Sequence, residues 1–114
     1  MNFSEQHCDP CQSGLGLLTQ DDLYEYMKVI NADWQISDDG LIISRNFGFK
    51  NFAKTMFFIN ALANLADQQG HHPDICFGYN YARVSFTTHE AKGLTRNDFI
   101  CAKAVDELTV ASRA

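Results

Sequence analysis

The sequence predicts an α+β domain whose four-stranded antiparallel sheet has helices packed on one face, in the order α-β-β-α-β-β-α. Three segments carry apolar residues at every third or fourth position, which is typical of amphipathic helices. Two intervening segments alternate apolar and polar residues around a turn signal, which is typical of β-hairpins. The length of 114 residues suits one domain built around one core.

The first helix is predicted over about residues 20–31. Thr19 offers an N-cap hydroxyl, and Asp22 stands three residues later, as the acidic residue of a capping box does. The apolar residues of this segment at helical spacing are Leu23, Tyr26, Met27 and Ile30. Residues 1–18 show no regular period, so we expect a flexible N-terminal extension there and a single domain over 19–114.

Each predicted hairpin joins two short strands. The first turns at Asp38-Asp39-Gly40, and the second turns near Asn80. The alternating apolar positions are Trp34 and Ile36, then Leu41, Ile43, Phe47 and Phe49 in the first hairpin, and Ile75, Phe77 and Tyr79, then Val84 and Phe86 in the second. One buried sheet face follows from this alternation.

The second and third helices are predicted over about residues 52–68 and from about residue 96 onward. Gly70 stands where a left-handed residue ends a helix, and Pro73 cannot extend one. Thr95 and Asp98 repeat the spacing of a capping box. The predicted apolar stripe of the second helix is Phe52, Met56, Ile59, Ala63 and Ala66, flanked by Phe58, Leu62 and Leu65. That of the third is Phe99, Ala102, Val105 and Leu108.

Composition disfavours two classes of partner. The net charge of −5 and the lack of a Lys/Arg run argue against nucleic acid, and no apolar run approaches the roughly 20 residues of a membrane span. The N-terminus lacks the apolar core of a signal peptide, so we expect a cytoplasmic protein. Its cysteines should then be mostly free thiols: Cys8, Cys11, Cys76 and Cys101.

Three histidines are predicted to meet at one end of the sheet. His71 and His72 occupy the link that precedes one strand, and His89 follows the strand that pairs with it. In a hairpin, the entry to the first strand and the exit from the second lie side by side. Imidazoles exchange protons near neutral pH, so two of them on either side of a substrate can drive an elimination.

The spacing of these residues resembles the pterin-4a-carbinolamine dehydratase signature. The segment Asp67-Gln68-Gln69-Gly70-His71-His72-Pro73 matches its acidic residue and His-His-Pro, and the signature continues at Tyr79, His89 and Asp98. The segment Thr87-Thr88-His89-Glu90-Ala91-Lys92-Gly93-Leu94 is also similar to the family's. The likeness covers roughly residues 19–110.

This resemblance implies dehydration of a 4a-hydroxytetrahydropterin to a quinonoid dihydropterin, with no cofactor and no metal. It implies that His71 and His89 are the acid–base residues, that His72 orients the pterin and that Asp98 supports the histidines. The implied substrate contacts are Asp67, His71, His72, Pro73, Thr88, His89, Glu90 and Ala91. The family also suggests a homodimer or homotetramer and a functional link to phenylalanine hydroxylase.

Simpler interpretations remain open for several of these residues. A His-His-Pro link can be a plain surface turn, three histidines can bind zinc, and Asp98 can be only the third residue of a capped helix. The Cys8-Asp9-Pro10-Cys11 motif can be a redox or metal half-site, or part of a mobile extension. A different class of function is a non-catalytic protein that stabilises the oligomer of a partner.

Overall fold

The structure is a computed structural model that describes the backbone of residues 16–112 and the side chains of residues 16–108. Most of the predicted N-terminal extension, with Cys8 and Cys11, lies outside these residues. Leu18, which the sequence analysis placed at the end of that extension, donates its N–H to the carbonyl oxygen of Leu94 at 3.1 Å. The chain is therefore tied to the domain from at least this residue onward.

The predicted order of elements is confirmed. The elements are α1 (Gln20–Met27), β1 (Gln35–Ile36), β2 (Ile43–Gly48), α2 (Phe52–Gln69), β3 (Asp74–Phe77), β4 (Tyr81–Phe86) and α3 (Arg96–Ser112). The strands form one antiparallel sheet in the order β1-β2-β4-β3, with the helices on one face. This arrangement places the last strand of the second hairpin beside the last strand of the first.

Helix α1 is shorter than predicted. Its start has the complete capping box, because the Thr19 hydroxyl accepts from Asp22 N and the Asp22 carboxylate accepts from Thr19 N, each at 3.1 Å. Beyond Met27 the backbone tightens, and the N–H of Asn31 donates to the Asp106 carboxylate at 2.8 Å. This tertiary bond removes a donor that a longer helix would use, so α1 ends early.

Helix α2 buries the predicted Ala66 and the predicted flanking residues Phe58 and Leu62, with Ile59 packed against the core. Its buried residues are Thr55, Phe58, Leu62 and Ala66, whereas Phe52 is 47 % exposed. The Thr55 hydroxyl lies within hydrogen-bond distance of the carbonyl oxygens of Asn51 (3.0 Å) and Tyr79 (2.9 Å), which share its one proton and allow a polar residue to be fully buried. The centre of the buried stripe is therefore displaced by one position, from Met56 and Ile59 to Thr55 and Phe58.

The core lies between the sheet and the helices. Trp34 contacts Phe47 and Phe86 through ring contacts with centroids 6.5 and 6.1 Å apart. The other large core residues include Ile43, Phe58, Leu62, Val84, Phe99, Ile100 and Val105.

Tyr79, predicted on a strand, lies in the β3–β4 turn and is 64 % exposed. Across the part of the chain that the structure describes, no helix has the length and apolar character that crossing a membrane requires.

Candidate active site

The register of the second hairpin brings the histidine segments to one end of the sheet. Asp74, the first residue of β3, pairs with Ser85, near the end of β4. The link that carries His71 and His72 therefore runs beside the exit from β4, which leads to Thr88 and His89. The predicted proximity of the two segments rests on this pairing.

The C-terminal end of α2 fixes the backbone of His71. Gly70 adopts the left-handed conformation (φ 66°) and its N–H donates to the Asp67 carbonyl oxygen at 3.3 Å. The N–H of His71 donates to the Ala66 carbonyl oxygen, also at 3.3 Å. These two bonds form the Schellman motif, so the helix end itself sets where the first histidine begins.

The imidazole of His71 is buried against Asp98. Its Nε2 lies 2.6 Å from Oδ1 of Asp98, whose side chain has no solvent exposure. The His71 ring also stacks on Phe86, with centroids 6.0 Å apart and planes 10° apart. A carboxylate in this position orients the ring and stabilises the positive charge that the ring acquires on accepting a proton.

Asp98 contacts both the start of helix α3 and the imidazole of His71. Its Oδ2 accepts from the backbone N–H of Thr95 at 2.9 Å, which caps helix α3. The same oxygen accepts from the Thr88 hydroxyl at 2.8 Å, while Oδ1 faces His71. One buried carboxylate thus joins the start of α3, the end of β4 and the end of α2.

His72 lies at the surface. Its Nε2 is 3.1 Å from Oδ1 of Asp67, and the two side chains are 64 % and 79 % exposed. Such an exposed pair contributes at most about 1 kcal/mol to stability. The ring of His72 remains accessible to a ligand, and Pro73 beside it is half-buried.

His89 lies in a short loop that Thr88 closes. Thr88 and Gly93 exchange backbone hydrogen bonds of 3.0 and 3.3 Å, and Lys92 N donates to the His89 carbonyl oxygen at 3.2 Å. His89 and Glu90 are exposed, whereas Ala91 is buried. Within the described residues the His89 ring makes no hydrogen bond, so its convergence with His71 and His72 on one substrate stays a prediction.

Sequence reasoning missed two contacts of this site. Thr95 was recognised only as a helix cap, yet its hydroxyl lies 2.8 Å from that of Thr88. Phe86 was recognised only as a core residue, yet it stacks on His71. The Thr-x-x-Asp pattern next to the histidine loop was the available signal for the first contact; nothing in the sequence signals the second.

Among residues 16–108, no three His, Cys, Asp or Glu side chains cluster closely enough to hold a metal ion.

The protein is a small α+β domain with an open antiparallel sheet and a buried histidine–aspartate pair at one end of that sheet, an arrangement suited to proton transfer. Residues 16–108 match the sequence model of the family described as Pterin 4 alpha carbinolamine dehydratase. The chain belongs to this family. The resemblance that the His-His-Pro, His89 and Asp98 spacing indicated is therefore confirmed.

Relatives of similar length support the same assignment. A provisionally named pterin-4-alpha-carbinolamine dehydratase of Legionella pneumophila (strain Corby) is 44 % identical over 109 residues, which cover 96 % of each chain. A protein of the same provisional name from Nitrosomonas eutropha (strain DSM 101675 / C91 / Nm57) is 42 % identical, covering 96 % of this chain and 95 % of its own. The whole domain is thus shared with these relatives.

Two solved structures share the fold. A transcriptional coactivator/pterin dehydratase from Brucella melitensis superposes with a TM-score of 0.76 at 29 % identity, covering 81 % of this chain and 97 % of its own. A pterin dehydratase-like protein identified as a RuBisCO assembly factor in the alpha-carboxysome gives a TM-score of 0.59 at 28 % identity. That match covers 67 % of this chain and 88 % of the other.

Proposed function

We propose that this chain dehydrates 4a-hydroxytetrahydrobiopterin, or a related 4a-hydroxytetrahydropterin, to the quinonoid dihydropterin and water. The observation that carries the proposal is the buried His71–Asp98 pair, 2.6 Å apart, at the sheet end where His89 follows Thr88. The reaction would return the cofactor of aromatic amino acid hydroxylases to a reducible form. We place it in the cytoplasm, with a functional link to phenylalanine hydroxylase.

The chemistry needs one acid and one base. The hydroxyl on C4a leaves as water when an acid protonates its oxygen and the lone pair on N5 forms the new C=N bond. A base then removes a ring proton, and the neutral quinonoid product results. Imidazoles can supply both functions near neutral pH, each worth roughly 10²–10⁴-fold in rate.

The environments of the three rings suit different tasks. His71 is held by Asp98 and Phe86, so its orientation is set before the substrate arrives. His89 and His72 are exposed and accessible to the pterin. We assign acid–base roles to His71 and His89, orientation of the pterin to His72, and further contacts to Asp67, Pro73, Thr88, Glu90 and Ala91.

Replacement of single histidines tests this proposal. We expect His71→Ala and His89→Ala each to lower the rate of 4a-hydroxytetrahydropterin dehydration by about 10²-fold or more, because each removes a proton-transfer group. Stopped-flow ultraviolet spectroscopy measures the rate, and circular dichroism checks the fold. The control is Lys54→Ala, an exposed residue near the opposite end of α2. Wild-type rates in both histidine variants would refute the assignment.

A second candidate is a non-catalytic role in stabilising the oligomer of a partner. The names of the two structural neighbours, a coactivator and an assembly factor, favour it. Helix α2 also exposes 75 % of Phe57, an apolar ring that a partner or a second copy could cover. For this chain we propose a homodimer or homotetramer. The dehydration rate of the wild type separates the two functions, since a purely structural protein would not dehydrate the pterin. Sedimentation of the wild type and of His71→Ala then reports the oligomer, which a structural role would keep without the imidazole.

A further inference from the structure

The Asp98 carboxylate is the end point of a buried chain of hydroxyl groups. The Thr95 hydroxyl lies 2.8 Å from the Thr88 hydroxyl, which lies 2.8 Å from Oδ2 of Asp98. Thr88 and Asp98 have no solvent exposure, and Thr95 is 7 % exposed. These side chains therefore find their hydrogen-bond partners in one another.

The number of available protons sets the donor and the acceptor of each hydrogen bond in this row of hydroxyl groups. A carboxylate only accepts, and a hydroxyl has one proton to donate. Thr88 donates its proton to Asp98, so the proton between the two threonines belongs to Thr95. Oδ2 then receives Thr88 Oγ1–H and Thr95 N–H, and Oδ1 remains for Nε2–H of His71.

The other Thr-x-x-Asp pair of the chain provides an internal comparison. At the start of α1 the Thr19 hydroxyl accepts from Asp22 N, as in a complete capping box. At the start of α3 the N–H of Asp98 donates instead to the Thr95 carbonyl oxygen at 3.1 Å, and the Thr95 hydroxyl turns to Thr88. The same four-residue pattern is used for capping alone in one place and for orienting a carboxylate in the other.

We infer that Thr88 and Thr95 are positioning residues for His71, acting through Asp98, which they hold in the rotamer that keeps the proton of His71 on Nε2. The inference deepens the proposed dehydratase function and depends on it for its kinetic consequence. The Thr88 side chain acts in this way through its hydroxyl. Contact of its backbone with a substrate is a separate matter.

The kinetic test compares Thr88→Val, which removes the hydroxyl at nearly constant size, with Thr88→Ser, which keeps it. We expect Thr88→Val to lower kcat by about 10- to 100-fold with little change in KM, because the reacting ring is misplaced rather than the pterin lost. Thr88→Ser should retain most of the rate. Equal kcat in the valine and serine variants would overturn the inference.

A spectroscopic test does not depend on catalysis. Nitrogen-15 NMR of the imidazoles reports which ring nitrogen of His71 carries the proton. We expect a single Nε2–H tautomer in the wild type and in Thr88→Ser, and a mixture of tautomers in Thr88→Val. An unchanged His71 tautomer in Thr88→Val would overturn the inference. Inactivity of the wild-type protein on pterins would refute only the proposed function and would leave this spectroscopic test valid.

A third variant covers the case in which Thr88→Val does not fold. Thr95→Ala removes the outer hydroxyl and leaves the backbone N–H that caps α3. We expect a smaller fall in kcat than in Thr88→Val and the same change in the His71 tautomer. A folded Thr95→Ala protein with wild-type kcat and the wild-type His71 tautomer would contradict the hydrogen-bond order from Thr95 through Thr88 to Asp98.

Discussion

Lys92 has an unfavourable backbone conformation in the loop that carries His89. Its φ is 61°, and among the residues that the structure describes it is the one residue other than glycine with a positive φ. The left-handed region costs a residue with a Cβ atom about 1–2 kcal/mol. The neighbouring bonds between Thr88 and Gly93 close the loop and hold Lys92 there.

Lys92→Gly should therefore stabilise the domain. Removal of the left-handed penalty outweighs the about 0.5–1 kcal/mol that glycine loses in chain entropy, so we expect a gain of up to about 1 kcal/mol. Urea unfolding followed by circular dichroism measures it. Lys92→Ala is the control, because it removes the charge and keeps the Cβ. A glycine variant no more stable than the alanine variant would show that the backbone of Lys92 is not strained.

Single residues also show the limit of pattern recognition. His71, His89 and Asp98 were identified from spacing, because the family motif fixes residue types at fixed gaps. The support of the histidines by Asp98 was implied by the resemblance, but the contacts of Thr88 with Asp98 and Thr95 were not predicted, since the two Thr-x-x-Asp pairs look alike in sequence. They differ in what the hydroxyl contacts, since that of Thr95 lies beside Thr88 and that of Thr19 accepts from Asp22 N.

At the scale of elements, the end of α2 connects helix geometry to the site. Gly70 is left-handed (φ 66°), and a Cβ placed on it would meet no atom within 4 Å. The cost of a side chain there is therefore conformational and not steric. His71 follows directly, so the same residue that ends the helix determines where the imidazole starts.

Gly70→Ala should destabilise the domain by about 1–2 kcal/mol, the penalty of a left-handed alanine. Gly70→Asn should cost less, because asparagine tolerates this conformation. The control is Gly48→Ala, a strand glycine with open space around its Cβ position and no positive φ. Guanidinium unfolding ranks the three variants. If Gly70→Ala were as stable as Gly48→Ala, the Schellman end of α2 would not be formed in solution.

The elements themselves were largely predictable, and their packing was not. Turn residues and apolar spacing located all three helices and both hairpins, because these signals are local. The centre of the buried stripe of α2 was displaced by one position, because Thr55 is buried with its hydroxyl near the carbonyl oxygens of Asn51 and Tyr79. The order β1-β2-β4-β3 was likewise not predicted, since it depends on contacts between the two hairpins.

At the scale of the whole molecule, the distribution of histidine partners bears on metal dependence. Nε2 of His71 is engaged by Asp98 and Nε2 of His72 by Asp67. We expect the proposed dehydration to continue at the wild-type rate after dialysis against EDTA, because the mechanism proposed above uses proton transfer by imidazoles and not a Lewis acid to assist the departure of the hydroxyl. Stopped-flow spectroscopy before and after dialysis measures this. Loss of activity that added zinc restores would support the zinc interpretation.

A buried ion pair connects distant parts of the chain. Asp106 on α3 accepts from Arg45 Nη1 (2.6 Å), Trp34 Nε1 (2.7 Å) and Asn31 N (2.8 Å). Arg45 and Asp106 are 7 % and 8 % exposed. The carboxylate thus joins α3 to β2 and to the connection between α1 and β1. Nε of Arg45 is buried and has no hydrogen-bond partner among the described residues.

Asp106→Ala should destabilise the domain by about 3–5 kcal/mol, because it removes the close, buried partner of Arg45. Among the described residues it leaves the buried guanidinium the exposed Asp33 carboxylate, 3.7 Å from its Nη2. The expected loss is a large share of the about 5–15 kcal/mol that stabilises a typical domain. The double variant Arg45→Met/Asp106→Leu should recover much of the loss, since it removes both charges and keeps the volume filled. Thermal and guanidinium unfolding of the single and double variants measure the coupling. A double variant as unstable as Asp106→Ala would mean that the bonds to Trp34 and Asn31, and not the ion pair, account for the stability that Asp106 provides.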